Sequence, residues 1–351
     1  MMFKESRKNT FKVLLASIAL SLVFLSGCSY FENDNVQKLT EDSISKGHLA
    51  WSPNGESLAF IGTFSGKPEI HIMSLEGLSV RQITDNEDVN GLGGAPSWSP
   101  DGSQLAFAVG PQGSRDIAIV NLSNSSVRRL TYSSADEFDP SWSPDGESIV
   151  FVSDRDSRVC VVYFPGESCD VLDIFLLSIA EGRSKQLTFG FTTFKDPSEW
   201  QKNLSPDWSP DGEKIVFTKG VIGSGYGEIY VMDIDGSSVL SLPFSGNGDN
   251  AKWSPDGKRV AFEKWRYSQF GPKYNTVRIY VTEINNIASN SKPRLVTEWD
   301  CNGYSPTWSP DGKKIAFISE GEWTYCLSEE PEIFIMEIDK EDDRFSNWID
   351  S

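Results

Sequence analysis

The sequence predicts an all-β fold, a six-bladed β-propeller of four-stranded blades, and three observations predict it. The word W-S-P-D-G, with Asn54 in place of the acid in the first copy, occurs six times, starting at Trp51, Trp98, Trp142, Trp208, Trp253 and Trp308. The copies lie roughly 45 residues apart with two longer gaps, close to the ~40–45 residues of one propeller blade. Each copy is followed, in phase, by two short segments of alternating apolar residues, the period-two signature of strands. Phe, Trp, Gly and Pro are also plentiful, as short strands joined by tight turns require.

The elements follow in a fixed order. Strand a is the short run before each Trp, as in "APSW", "DPSW" and "SPTW". The S-P-D-G turn comes next, with Pro at the position where a fixed φ helps and Gly where a positive φ closes a hairpin. Strand b reads "SLAFIG", "QLAFAV", "SIVFVS", "KIVFTK", "RVAFEK" and "KIAFIS". Strand c reads "EIHIMSL", "DIAIVNL", "DIFLLSI", "EIYVMDI", "RIYVTEI" and "EIFIMEI". Strand d ends in "RQIT", "RRLT", "KQLT", the weaker "VLSLP" and "RLVT", which leaves the sixth repeat without one. Two segments compete for that place: "QKLT" at Gln37–Thr40, whose letters match, and the C-terminal "RFSNWID". Closure by "QKLT" would place the N-terminus at the outer edge of the last blade and remove an open sheet edge.

These words and strands resemble the repeats of the TolB-like propeller family, related to the WD-repeat propellers. The resemblance covers about residues 37–340 and rests on six near-identical motifs. It implies a propeller fold. Its functional implication is broader, since such propellers serve as protein-binding modules, as substrate gates of serine peptidases and in some lyases.

The N-terminus reads as an address. Lys4, Arg7, Lys8 and Lys12 precede the apolar run Val13–Leu25. That run is shorter than the ~20 residues needed to span a bilayer core and suits a secretory signal. It ends in Leu25-Ser26-Gly27-Cys28, which resembles the lipobox of bacterial lipoproteins. The expected organisation is a signal peptide over 1–28 with Cys28 lipidated, a polar tether over 29–36 and a single propeller over 37–351. The expected location is the bacterial cell envelope, outside the cytoplasm and held by the lipid. The formal charge of −18 repels phosphate backbones, so nucleic acid is not an expected partner.

An extracytoplasmic location permits disulfides. Cys160 and Cys169 flank one excursion of the third repeat's b–c loop, whereas Cys301 and Cys326 fall on the same face of the sixth repeat. The repeat register therefore predicts Cys160–Cys169 and Cys301–Cys326 bridges.

In a propeller blade the a–b and c–d turns share one face, so the longer b–c and d–a loops gather on the other, where binding residues usually reside. These loops carry Trp200, Trp265, Tyr267, Phe270, Trp299, Tyr304, Trp323 and Tyr325, suited to a protein hot spot or to sugar stacking. A second candidate is the mouth of the central channel. Three residues before each Trp stand His48, Ala95, Asp139, Ser205, Asn250 and Ser305. Five of the six are polar, and together they would ring a wet pore.

Enzymatic readings find little support. His48 and His71 are the only histidines, and His71 occupies a strand-c position held elsewhere by Tyr, Phe or Ala. There is no G-x-S-x-G nucleophile elbow. No metal or cofactor is expected. The carboxylates of Ser153–Asp156, "SDRD", offer ligands to calcium but lack the spacing of an EF-hand loop. The expected function is non-catalytic binding of a protein or peptide through the b–c/d–a face. The alternative is a propeller that binds or processes envelope glycans with its aromatic loops.

Overall fold

The computed structural model describes residues 36–40, 45–63, 66–85, 94–155, 171–190, 201–221, 227–266, 276–284, 292–297, 302–320 and 331–338. All five cysteines fall outside these residues, as do Trp200, Tyr267, Phe270, Trp299, Trp323, Tyr325 and "RFSNWID". Residues 1–37 form a separate unit, of which Val36 and Gln37 are described as part of a short strand. Lys38–Ser351 form one compact unit.

The fold is all-β, a propeller. The first three repeats each form a four-stranded antiparallel sheet in the order a, b, c, d. In the third, for example, Glu137–Trp142, Ser148–Ser153, Asp173–Ser178 and Arg183–Gln186 pair in sequence. The fourth and fifth repeats differ from the expectation of separate blades. They form one eight-stranded sheet, joined by the single pair Gly227↔Gly248. Both positions need a glycine: a Cβ at Gly227 would lie 2.5 Å from Lys219 O, and one at Gly248 would collide with Ser245 O.

The W-S-P-D-G word builds the a–b turn. In every copy the Ser carbonyl accepts the Gly N–H at 2.8–3.0 Å. The Ser hydroxyl oxygen accepts the N–H of the residue five places on, at 2.8–2.9 Å. Its O–H donates to the Asn or Asp two places on. Each turn glycine has positive φ and lies against a proline of the preceding turn: Gly102 on Pro53, Gly146 on Pro100, Gly212 on Pro144, Gly257 on Pro210 and Gly312 on Pro255. The series returns to its start, because Gly55 lies against Pro310.

The Trp of the word joins neighbouring repeats. The indole N–H groups of Trp98, Trp208 and Trp308 donate to the carbonyls of Ala50, Ser141 and Lys252 in the preceding strand a, at 3.1–3.2 Å. Apolar cores also form between successive repeats. Leu49, Leu58, Phe60 and Met73 of the first repeat pack with Ala316, Ile318, Ile333 and Ile335 of the sixth. Across strands b and c, Phe151–Phe175, Phe217–Tyr230, Phe262–Tyr280 and Phe317–Phe334 place ring centroids 5.8–6.0 Å apart. His71 takes that aromatic place in the first repeat, buried and stacked on Phe60 at 5.6 Å.

The Thr ending strand d has a definite task. Oγ1 of Thr84, Thr131, Thr188 and Thr297 accepts the N–H of Ile70, Ile117, Ile174 and Ile279 in strand c, at 2.8–3.0 Å. The hydroxyls of Thr84, Thr131 and Thr188 donate to the acid that opens that strand: Glu69, Asp116 and Asp173. Thr40 of "QKLT" does both in the sixth repeat, accepting from Ile333 and donating to Glu332, while Leu39 N–H donates to Ile333 O. The N-terminal segment thus supplies the missing outer strand, and the matching letters have a physical cause. In the fourth repeat, where "VLSLP" lacks the Thr, Ser245 Oγ accepts from Ile229 instead. Thr188→Val keeps the volume but removes a donor and an acceptor from buried groups. It should destabilise the fold by about 1–3 kcal/mol in urea denaturation. A change below about 0.5 kcal/mol, the level of an ordinary surface substitution, would show that the staple carries no weight.

Candidate functional site

Strand a is irregular at the same place in five repeats. Its pairing with strand b slips between Gly47 and Leu49, Phe138 and Ser141, Leu204 and Asp207, Asp249 and Lys252, and Tyr304 and Thr307. The residue three before the Trp sits in each slip with a left-handed backbone: His48 at φ 55°, Asp139 at 52°, Ser205 at 50°, Asn250 at 48° and Ser305 at 54°. In the second repeat the positive φ falls on Gly94, beside Ala95. Short polar residues such as Asn and Asp tolerate this conformation best, so the polarity of this column has a backbone cause beyond wetness. A bulge re-aims a side chain, and all six positions line one cavity of about 360 Å³.

Trp265 and Tyr304 line the same cavity. The sequence places both in loops, but they stand on strands. Trp265 lies near the end of strand b of the fifth repeat, paired with Val277, and Tyr304 lies in strand a of the sixth. Two of the loop-face aromatics therefore share a cavity with the strand-a column.

The wall contributed by the fifth and sixth repeats carries charge that the sequence reading missed. Asp249 and Glu263 are direct cross-strand partners and both line the cavity. Asp249 Oδ1 accepts the Thr218 hydroxyl at 2.9 Å and the Asn250 N–H at 2.7 Å. Glu263 Oε1 accepts the Asn250 side-chain amide and the Ser305 N–H, each at 2.8 Å. Burial, with the Asp249 charge adding to it, pushes the Glu263 carboxyl up to about 7. Burial also raises Asp249, against the hydrogen bonds from Thr218 and Asn250. Lys252 reaches Asp207 at 3.5 Å. The protein surround holds the His48 imidazole below its usual range, with Asp139 opposing and Lys252 reinforcing. Burial and the neighbouring Glu320 push the Tyr304 hydroxyl upward. The arrangement is equipped for hydrogen bonding and charge recognition.

The missed residues had a signal. The strand-b residue after the Phe is Ile61, Ala108, Val152, Thr218 or Ile318 in the other repeats, and Glu263 here. Reading each repeat position down its column exposes the exception.

Of the "SDRD" segment, Asp154 Oδ1 accepts the Asp136 N–H at 2.8 Å, and Arg155 bonds Glu137 and Ser184 while lying over Phe175. Asp156 lies outside the described residues. Among the described residues no group of three or more His, Cys, Asp or Glu side chains is placed to hold a metal ion.

Residues 34–171 match the family model of the TolB beta propeller domain. That match spans less than half of the chain. The TolB-type architecture recurs in solved structures. TolB from Acinetobacter baumannii is 24% identical with a TM-score of 0.58, over 77% of this chain and 59% of that one. A structure assigned to TolB of Agrobacterium tumefaciens is 21% identical with a TM-score of 0.59, over 87% and 97%. An oligogalacturonate lyase from Vibrio parahaemolyticus is 14% identical with a TM-score of 0.57, over 88% and 95%. At these identities the likeness is one of fold. An uncharacterized protein of Agrobacterium fabrum is 28% identical over 155 residues, 42% of this chain and 47% of that protein. The chain thus spans less than half the length of that relative.

Proposed function

We propose that this protein is a non-catalytic, extracytoplasmic binding protein that takes a protein or peptide segment into the mouth of its central cavity. The single observation that carries the reading is the convergence of all six equivalent strand-a positions on one cavity, five of them through a left-handed bulge. Non-glycine residues in that conformation carry a strain cost and gather at ligand sites. The TolB-type repeats support the extracytoplasmic location. In this reading the chain has six blades, a count supported by the closed series of six turn contacts and by Thr40 at the edge of the sixth repeat. Lipidation at Cys28, the tether over 29–36 and the Cys160–Cys169 and Cys301–Cys326 bridges belong to the same proposal.

Ala95 is the apolar member of the column and does not have a positive φ, so Ala95→Trp fills the cavity with little backbone cost. Panning a random peptide display library on the full-length protein should enrich peptides whose binding is lost in Ala95→Trp at unchanged melting temperature. Enrichment indifferent to Ala95→Trp would overturn the reading. So would a glycan-array signal abolished by Trp265→Ala, which would instead favour the glycan alternative.

A further inference from the structure

We propose that the ligand of this cavity presents a cationic side chain, an arginine of a peptide, to the paired carboxylates of Asp249 and Glu263. The inference rests on the cavity being the binding site and names what the site selects. Like charges directly opposite on paired strands destabilise a sheet, yet Asp249 and Glu263 are register partners. Neither is required by the repeat. Asp249 stands where the others have Gly47, Gly94, Phe138, Leu204 and Tyr304, and Glu263 replaces an aliphatic residue or Thr.

Their bonding is also half complete. All hydrogen bonds to the pair from described residues end on Asp249 Oδ1 and Glu263 Oε1. Asp249 Oδ2 and Glu263 Oε2 accept none, although Glu263 is only 8% exposed. Neither oxygen is among the buried polar atoms left without a partner, so each is open to a donor from outside the fold, and both residues line the cavity. Two neighbouring carboxylates with one open oxygen each suit the fork of a guanidinium, and Trp265 lines the same cavity.

The surrounding charge agrees. Among the described lining residues, the carboxyls of Asp139, Asp249, Glu263 and Glu320 face one ammonium, Lys252, which already reaches Asp207. His48, with its depressed basicity, adds little positive charge near neutrality, and Tyr304 stays protonated. Because burial raises Glu263 to about 7, the pair gains charge as pH rises through neutrality and loses it below.

The test is calorimetric titration of the full-length protein with two capped tripeptides, acetyl-Gly-Arg-Gly-amide and acetyl-Gly-Gln-Gly-amide. At pH 8 the Arg peptide should bind at least about tenfold more tightly, the scale of a charge-assisted hydrogen bond. That preference should shrink toward unity at pH 5.5, and in Glu263→Gln at pH 8. Equal binding of both peptides, lost in Ala95→Trp, would overturn the cationic ligand and leave the cavity reading intact. An Arg preference undiminished in Glu263→Gln would also overturn it. Absence of binding to either peptide would overturn both readings.

Discussion

Lys46→Met is expected to cost the fold about 3–5 kcal/mol, the penalty for leaving a buried charge without its partner. Lys46 lies in strand a of the first repeat and Glu332 opens strand c of the sixth. Their side chains are 1% and 4% exposed, with Nζ 2.9 Å from Oε2. The pair joins the two repeats that are most distant in sequence, on the same carboxylate that receives the Thr40 hydroxyl. Removing the ammonium therefore leaves the buried carboxylate with the Thr40 hydroxyl and the longer, partly exposed contact from Lys38 Nζ, 3.8 Å from Oε1. Replacing both charges should recover much of the loss, since a buried ion pair contributes little beyond neutral, well-packed groups. Urea denaturation of Lys46→Met and of Lys46→Met/Glu332→Gln tests this. A single-variant loss below about 1 kcal/mol, the level of an exposed pair, would refute the argument. So would a double variant no more stable than the single.

Glu263→Gln is expected to stabilise the protein at pH 8. The carboxyl moves from an ordinary value of 4.5 to about 7 in the fold. Below pH 4.5 it is protonated in both the folded and unfolded chain and costs nothing. Between 4.5 and 7 the unfolded chain gives up the proton while the fold retains it, so stability falls as pH rises. Above 7 the full penalty, about 3 kcal/mol, is present. Gln keeps an oxygen for Asn250 and Ser305 and carries no charge, so the variant should be about 2–3 kcal/mol more stable at pH 8 and near wild type at pH 4.5. Denaturant midpoints at pH 4.5, 6, 7 and 8 measure it. A variant with the same pH dependence as wild type would remove Glu263 as its source. The gain, if found beside a lost Arg preference, is what a binding residue kept at the expense of stability would show.

Much of the architecture was legible because its causes are local. Pro and Gly set the a–b turn through their own φ preferences, and alternation over a few residues sets strands b and c. The letters of "QKLT" matched the other d strands but left "RFSNWID" as a competitor, and the Thr40 bonds to Ile333 and Glu332 explain why the letters matter. The column of His48, Asp139, Ser205, Asn250 and Ser305 was legible from its spacing to the Trp, although the left-handed bulge behind its polarity was not. Trp265 and Tyr304 were read as loop residues because strand ends carry no local mark once the apolar alternation stops.

Composition and repeat spacing alone determined the all-β class, the strand order and the strand-a column, since each follows from residues within a few positions of one another. Only the tertiary structure decided that Asp249 and Glu263 stand opposite each other, that Ser305 of the next repeat bonds Glu263, and that the six columns meet at one cavity. Those relations depend on sheet register and on the packing of repeats that are separated in the chain. A pairing register places two acids face to face without leaving any trace in the residues beside either one.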